Sequence, residues 1–304
     1  MQHLLRIPVF LIVLTICNPA FSQISFNSED ENQLRMIGSQ NTPLIRTLKE
    51  ANGLGDKAVK LYLKDDYLEG RFKKLGKLTN VQMLILKNNY ITDLPKEIGQ
   101  LRNLFILSTK RNRITSIDPA ITACSSLMYL ELYDTHLDSI PGFLSAMRSL
   151  ELLRIGNNSA DTLKISEKFT YTRSLRDLQI YDCNVYDLPE SMQNFDRLER
   201  LVLVNCKLDT LPANFGYMSH LKSLDLSGNN LKVLPPSFYK LKTLQYLNLR
   251  NNQLSDIQEK IVYLNKLEVL DLRGNPITEE QKQILKYSLP RCRVFTDIQE
   301  EKKP

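Results

Sequence analysis

The stretch LKSLDLSGNNLKVLPPSFYKLKT, residues 221–243, places Leu221, Leu224, Leu226 and Leu231 at positions one, four, six and eleven, with Asn229 at position nine. Spacing of two between positions four and six fits a short extended strand whose side chains alternate between two faces. One such strand has nothing to bury its leucines against, so the pattern makes sense only if copies stack. Copies are present. The same frame starts at Ala58, Val81, Leu104, Leu127, Leu150, Leu175, Leu198, Leu221, Leu244 and Leu267, in steps of 23 residues with one step of 25, and position four is leucine in all ten units. The chain's 52 leucines and absence of tryptophan follow from this ruler.

Each part of the frame has a physical reason. Apolar residues at positions one, four, six and eleven point into a coil, where neighbouring coils bury them. Position nine carries Asn89, Asn112, Asn158, Asn229, Asn252 and Asn275. There the chain turns inward and leaves backbone groups without ladder partners, which a buried amide can serve as both donor and acceptor. Cys183 and Cys206 occupy this column in neighbouring units. Their side chains point inward in parallel, so they are expected to be free thiols rather than a disulfide. Several units continue with Leu-Pro-x-x and an apolar residue, as in Leu94-Pro95 to Ile98, where proline opens a turn or short helix on the outer side. Unit five, with its two extra residues between Asn158 and Leu175, is expected to bulge on that outer surface.

Period and pattern resemble the leucine-rich repeat family from Ala58 to about Val294. The resemblance implies an α/β solenoid: a curved horseshoe with about ten parallel strands on the concave face. Short helices, 3-10 turns or extended segments form the convex face, and helical caps close both ends. It also implies an open concave face used for recognition.

The ends read differently from the repeats. Residues 1–22 have the form of a secretory signal peptide, with Arg6, an apolar run from Ile7 to Cys17, and Ala20 and Ser22 ahead of a cut before Gln23. An exported protein follows, with no stable membrane span after cleavage; a lipoprotein anchored through Cys17 is the second reading. Residues 23–57 are expected to form a helical N-terminal cap, with one helix beginning near Ser28 and another running from Thr42-Pro43 to Ala51. Repeats occupy 58–276, and 277–304 forms a C-terminal cap and short tail whose helix covers Ile277 to Leu289.

The chain carries 40 basic and 34 acidic residues, net +6, and one arginine lies in the first 22. So mild a balance on an exported chain does not point to nucleic acid. The repeats contain no P-loop, GxSxG, HExxH or CxxC, and the residues after Val294 leave no expected catalytic domain. No cofactor, metal or catalytic residue is expected. The carboxylates of the concave strands are read as a solvated face with no means of raising a pKa.

The expected function is therefore binding, with a protein as first partner and a cell-envelope or extracellular glycan as the alternative; a self-associating structural role is a third reading. The candidate patch lies in units four to six: Tyr129, Glu131, Tyr133, Asp134, Arg154, Asp177, Gln179, Tyr181 and Asp182. Tyrosine offers a rigid apolar ring with a polar tip, suited to protein contacts and to stacking on sugars. A basic flank, Lys64, Lys87, Lys110, Arg111 and Arg113, runs along units one to three.

Overall fold

The computed structural model describes residues 42–257 and 259–297. The signal-peptide reading and the first expected cap helix lie outside these residues.

One parallel sheet runs the length of the molecule. Its strands are β1 (Leu44–Ile45), β2 (Lys60–Lys64), β3 (Met83–Lys87), β4 (Ile106–Lys110), β5 (Tyr129–Tyr133), β6 (Leu152–Gly156), β7 (Asp177–Tyr181), β8 (Arg200–Val204), β9 (Ser223–Asp225), β10 (Tyr246–Asn248), β11 (Val269–Asp271) and β12 (Arg293–Phe295). Successive strands are hydrogen-bonded in chain order, and equivalent positions face each other, as in Leu84 beside Leu107 and Leu224 beside Leu247. The curved solenoid expected from the repeat is the observed architecture. Among the described residues the sheet has twelve strands, the ten expected from the repeats and one from each cap. Leu44–Ile45 is extended rather than helical, and the helix α1 (Leu48–Leu54) begins only after Thr47, whose hydroxyl caps the Glu50 amide at 3.1 Å. Pairing Ile45 with Leu61 lets the cap complete the edge of the sheet. At the other end α3 (Glu279–Ser288) is capped by Thr278 and buries Leu285, and Arg293–Phe295 then pairs with β11.

Inward leucines, isoleucines and phenylalanines form one continuous core from Ile45 to Leu289. Cutting one fully buried member such as Leu224 back to alanine costs roughly 2–5 kcal/mol. The convex side is built mostly from 3-10 turns, with one short helix, α2 (Phe72–Leu75). Proline sets these turns: the carbonyls of Pro95, Pro141, Pro189 and Pro235 accept from the amide three residues later at 2.8–3.2 Å. Phe169 packs edge-on against Phe195, and Phe215 stacks on Phe238, within this layer.

The position-nine asparagines form a structural ladder. Asn229 Nδ2 donates to the carbonyls of Leu203 and Leu226 at 2.7 and 2.8 Å, and its Oδ1 accepts from the amides of Cys206 and Leu208 at 3.0 and 3.1 Å. Cys183 and Cys206 are free buried thiols in the same column, and each donates to backbone carbonyls. Cys206 Sγ points to the carbonyls of Val204 and Ile180 at 3.4 and 3.5 Å, while the Val185 amide turns to the backbone carbonyl of Cys206 at 3.1 Å.

The extra residues of unit five do not bulge from the convex face. Lys164–Ile165 already pairs in register with Ser139–Ile140 of unit four, and the 3-10 turn Glu167–Tyr171 follows. Both additional residues are absorbed before Lys164, in the loop that leaves β6.

Candidate functional site: the concave face and its rim

Parallel register brings the expected patch together. At position five Glu131, Arg154 and Gln179 lie side by side on β5, β6 and β7, and at position three Tyr129, Leu152 and Asp177 do the same. Arg154 sits at the centre. Its Nη1 reaches Glu131 Oε1 at 3.4 Å and its Nε donates to Gln179 Oε1 at 2.9 Å. Gln179 Nε2 donates to Asp177 Oδ2 at 2.8 Å, and the hydroxyls of Tyr181 and Tyr129 reach Gln179 and Glu131 at 3.0 and 3.3 Å. Ser108 on β4 and Arg200 on β8 extend the network on either side, to Glu131 and to Asp177.

This centre is not the solvated surface expected from the sequence. Tyr129, Glu131, Arg154, Asp177 and Gln179 are all buried. Burial raises the Asp177 carboxyl to about 6, against the pull of Arg200, Gln179 and Arg154, so the expectation that this face could not raise a carboxylate pKa is corrected. Burial likewise pushes the Tyr133 phenol up to about 12, and those of Tyr129 and Tyr181 above their ordinary range. Toward the N-terminal end the same face turns apolar: Tyr62, Met83, Ile85, Ile106, Tyr129 and Leu152 form a second hydrophobic cluster, which reasoning focused on charges and tyrosines passed over.

The remaining patch residues, Tyr133, Asp134, Tyr181 and Asp182, lie on the rim where the strands end and are half-buried or exposed. Tyr133 lies across Gly156, where an added Cβ would come within 2.3 Å of its ring. Position eight takes a left-handed backbone in every unit, with φ between 49° and 72° from Asp65 through Asp134 and Asp182 to Gly274. Asn, Asp and Gly tolerate this conformation best, and they fill nine of the ten places. That composition was the available signal for a column the sequence reading missed. Side chains link it: Asn157 donates to Asp134, and Asn205 to Asp182 at 2.8 Å. At Gly228 a Cβ would meet Asn205 Oδ1 at 1.9 Å, so the positive φ and the close approach both require glycine.

The basic flank continues along the same rim. Lys64, Lys87 and Lys110 sit in register at the ends of β2, β3 and β4. Lys110 Nζ lies 5.1 Å from the Tyr133 ring centre, joining flank to patch, and Lys64 reaches Asp65 at 3.7 Å. Arg111 and Arg113 are exposed, and Arg111 is the one position-eight residue outside the Asn/Asp/Gly set.

Among the described residues no group of three or more His, Cys, Asp or Glu side chains is gathered as a metal site, and no helix is long and apolar enough to cross a membrane. The buried acids and bases are bonded to one another, except that Asp177 Oδ1 and Arg200 Nε have no hydrogen-bond partner among the described residues. Beside this network, the enlarged loop of unit five borders a shallow polar depression of about 520 Å³ lined by Asp161, Asp182, Asn184, Asn205 and Lys207.

Family models described as leucine-rich repeat region and leucine rich repeat match residues 61–199 and, in two overlapping copies, 196–254 and 219–277. No curated protein matches the chain. Among solved structures, the plant peptide hormone receptor RGFR1 in complex with RGF2 is similar at 27% identity and TM-score 0.57, over 67% of this chain. TLR13, in its complex with ssRNA13, is similar at 24% identity and TM-score 0.72, over 87% of this chain. The leucine-rich repeat domain of the type III effector XopL gives 20% identity and TM-score 0.66, over 82% of this chain and 87% of its own. The chain spans 34% of the RGFR1 chain and 42% of the TLR13 chain. With family models covering nearly all of the observed coils and these solenoids sharing the fold, the chain belongs to the leucine-rich repeat family.

Proposed function

We propose that this protein is an exported, non-catalytic recognition module that holds a protein partner along the concave rim of units four to six. The observation that carries this reading is the pairing of a buried, mutually bonded network with the side chains it presents. Arg154 and Gln179 are fixed on β6 and β7, and Tyr181 is anchored through its hydroxyl to Gln179. Tyr133 is seated over Gly156 beside Lys110. Rigid aromatic anchors flanked by carboxylates lose little entropy on binding, which favours contact with a folded partner. The contact residues are then Tyr133, Asp134, Tyr181 and Asp182; Gln179, bonded to Arg154 and Asp177, positions Tyr181, and Asn157 and Asn205 hold Asp134 and Asp182. A peptide-bound receptor among the similar structures supports a protein ligand. Export rests on the signal-peptide form of residues 1–22.

Capture from the producing organism's envelope and medium tests the reading, using mature protein beside a Tyr133→Ala, Tyr181→Ala variant matched for thermal stability. A protein retained by the first and lost by the second is the expected result. Retention of polysaccharide alone would transfer the function to the glycan alternative, and capture indifferent to both tyrosines would refute the site. N-terminal sequencing of the exported protein should begin at Gln23; a chain still starting at Met1 would remove the export reading.

A further inference from the structure

Tyr67 and Tyr90 occupy position ten of the first two units, just past the basic column. Both are about three-fifths exposed, at 63% and 59%, and their rings stack with centres 5.5 Å apart and planes 12° from parallel. Both also sit in the left-handed region, at φ 48° and 57°. That conformation costs a side-chain-bearing residue roughly 1–2 kcal/mol, and a glycine would remove the cost. Neither ring is buried in the core, and among the described residues neither hydroxyl has a partner. Lys207 holds the same conformation at position ten of unit seven, so the geometry belongs to the turn, and what sets units one and two apart is the exposed aromatic pair it carries.

The column continues into Arg113 at position ten of unit three, with Arg111 two residues before it. Among the described residues neither guanidinium meets a carboxylate. Carboxylates that share this rim are already engaged: Asp65 with Lys64 and Asn88, Asp66 with the Leu48 amide at 2.7 Å, and Asp134 with the Arg111 amide at 3.0 Å. Each of Tyr67 and Tyr90 turns one face toward the other and keeps its outer face, edge and hydroxyl open. The Arg111 and Arg113 guanidiniums, rather than the rings, set the ligand class. Hydroxyl and guanidinium donors in one row suit carboxylates.

We infer that the Tyr67–Tyr90–Arg113 row, with Arg111, is a docking edge for an acidic segment of a protein partner, separate from the patch of units four to six. It stands whether or not that patch binds the proposed partner.

Fluorescence anisotropy with a labelled octaglutamate peptide tests the inference on the full mature chain, with a heparin octasaccharide as second probe. The wild-type protein should bind the peptide at low salt, and Arg111→Glu, Arg113→Glu should weaken it at least tenfold. Tyr67→Gly, Tyr90→Gly leaves the charge unchanged and suits the backbone, so it should keep or raise the unfolding midpoint while weakening binding about fivefold. Lys73→Glu, Lys74→Glu on exposed α2 makes the same charge change elsewhere and should weaken binding less than twofold. Equal loss from the α2 and rim charge reversals would reduce the effect to net charge and overturn the proposal. So would indifference to the tyrosine pair, or binding of the sulfated sugar without the peptide. The central-patch variant Tyr133→Ala, Tyr181→Ala should retain peptide binding, which separates failure here from failure of the concave-rim reading.

Discussion

Replacing Asn229 by alanine tests whether the position-nine ladder holds the solenoid together. Asn229 is buried, and its side chain serves four well-placed backbone groups. Alanine leaves the amides of Cys206 and Leu208 facing an apolar interior, at about 1–3 kcal/mol each. The carbonyls of Leu203 and Leu226 lose less, because a carbonyl with one remaining partner is still partly satisfied. The total comes to about 2–6 kcal/mol. Because coils contact only their neighbours, the loss should concentrate in units seven and eight. Urea unfolding followed by circular dichroism measures the size, and amide hydrogen exchange at Cys206 and Leu208 measures the place. Asn229→Cys, copying the thiols at Cys183 and Cys206, keeps a donor and exchanges the amide oxygen for a weaker sulfur acceptor, and should cost about half as much. A loss under about 1 kcal/mol for alanine, or exchange that rises evenly along the chain, would refute the argument.

Asp177 supplies a pH signature. Its folded pKa of about 6 lies above the ordinary carboxylate value of 3.8, so the native state holds the proton more tightly than the unfolded chain. Its contribution is most favourable below about pH 4 and is lost as pH rises through 6, by about 3 kcal/mol in all. Between pH 4 and pH 7 the stability of Asp177→Asn relative to wild type should rise by an amount approaching that figure; a pH-independent difference would rule out the buried carboxyl. Cys183, whose thiol is pushed up to about 11 by burial, and Cys206, pushed higher still, should resist a thiol reagent in the native state. The partly exposed Cys292 should label first, and a native disulfide found by mass spectrometry would contradict the ladder.

Much of the site was legible because a stacked repeat converts sequence distance into spatial distance. Residues 23 apart become neighbours, so the period alone assigns Tyr129, Glu131, Arg154, Asp177 and Gln179 to adjoining strands. The bonds among them were less legible: Arg200 and Ser108 complete the network, and nothing in the period singles them out. The N-terminal cap shows the same limit. Thr42-Pro43 is a reasonable helix start by local chemistry, yet Leu44–Ile45 is extended because the open edge at β2 offers a ladder partner that local propensity does not register.

By itself the sequence determined the coil: which residues point inward, where asparagine closes the turn, and which columns run along the concave face. These follow from alternation within one short strand and a fixed period between strands. Tertiary structure decided how much of that face meets water, raised the Asp177 pKa, set the left-handed column at position eight and turned both caps into edge strands. Each depends on what neighbouring coils cover or leave unpaired, and that is a property of the assembled stack rather than of any one unit.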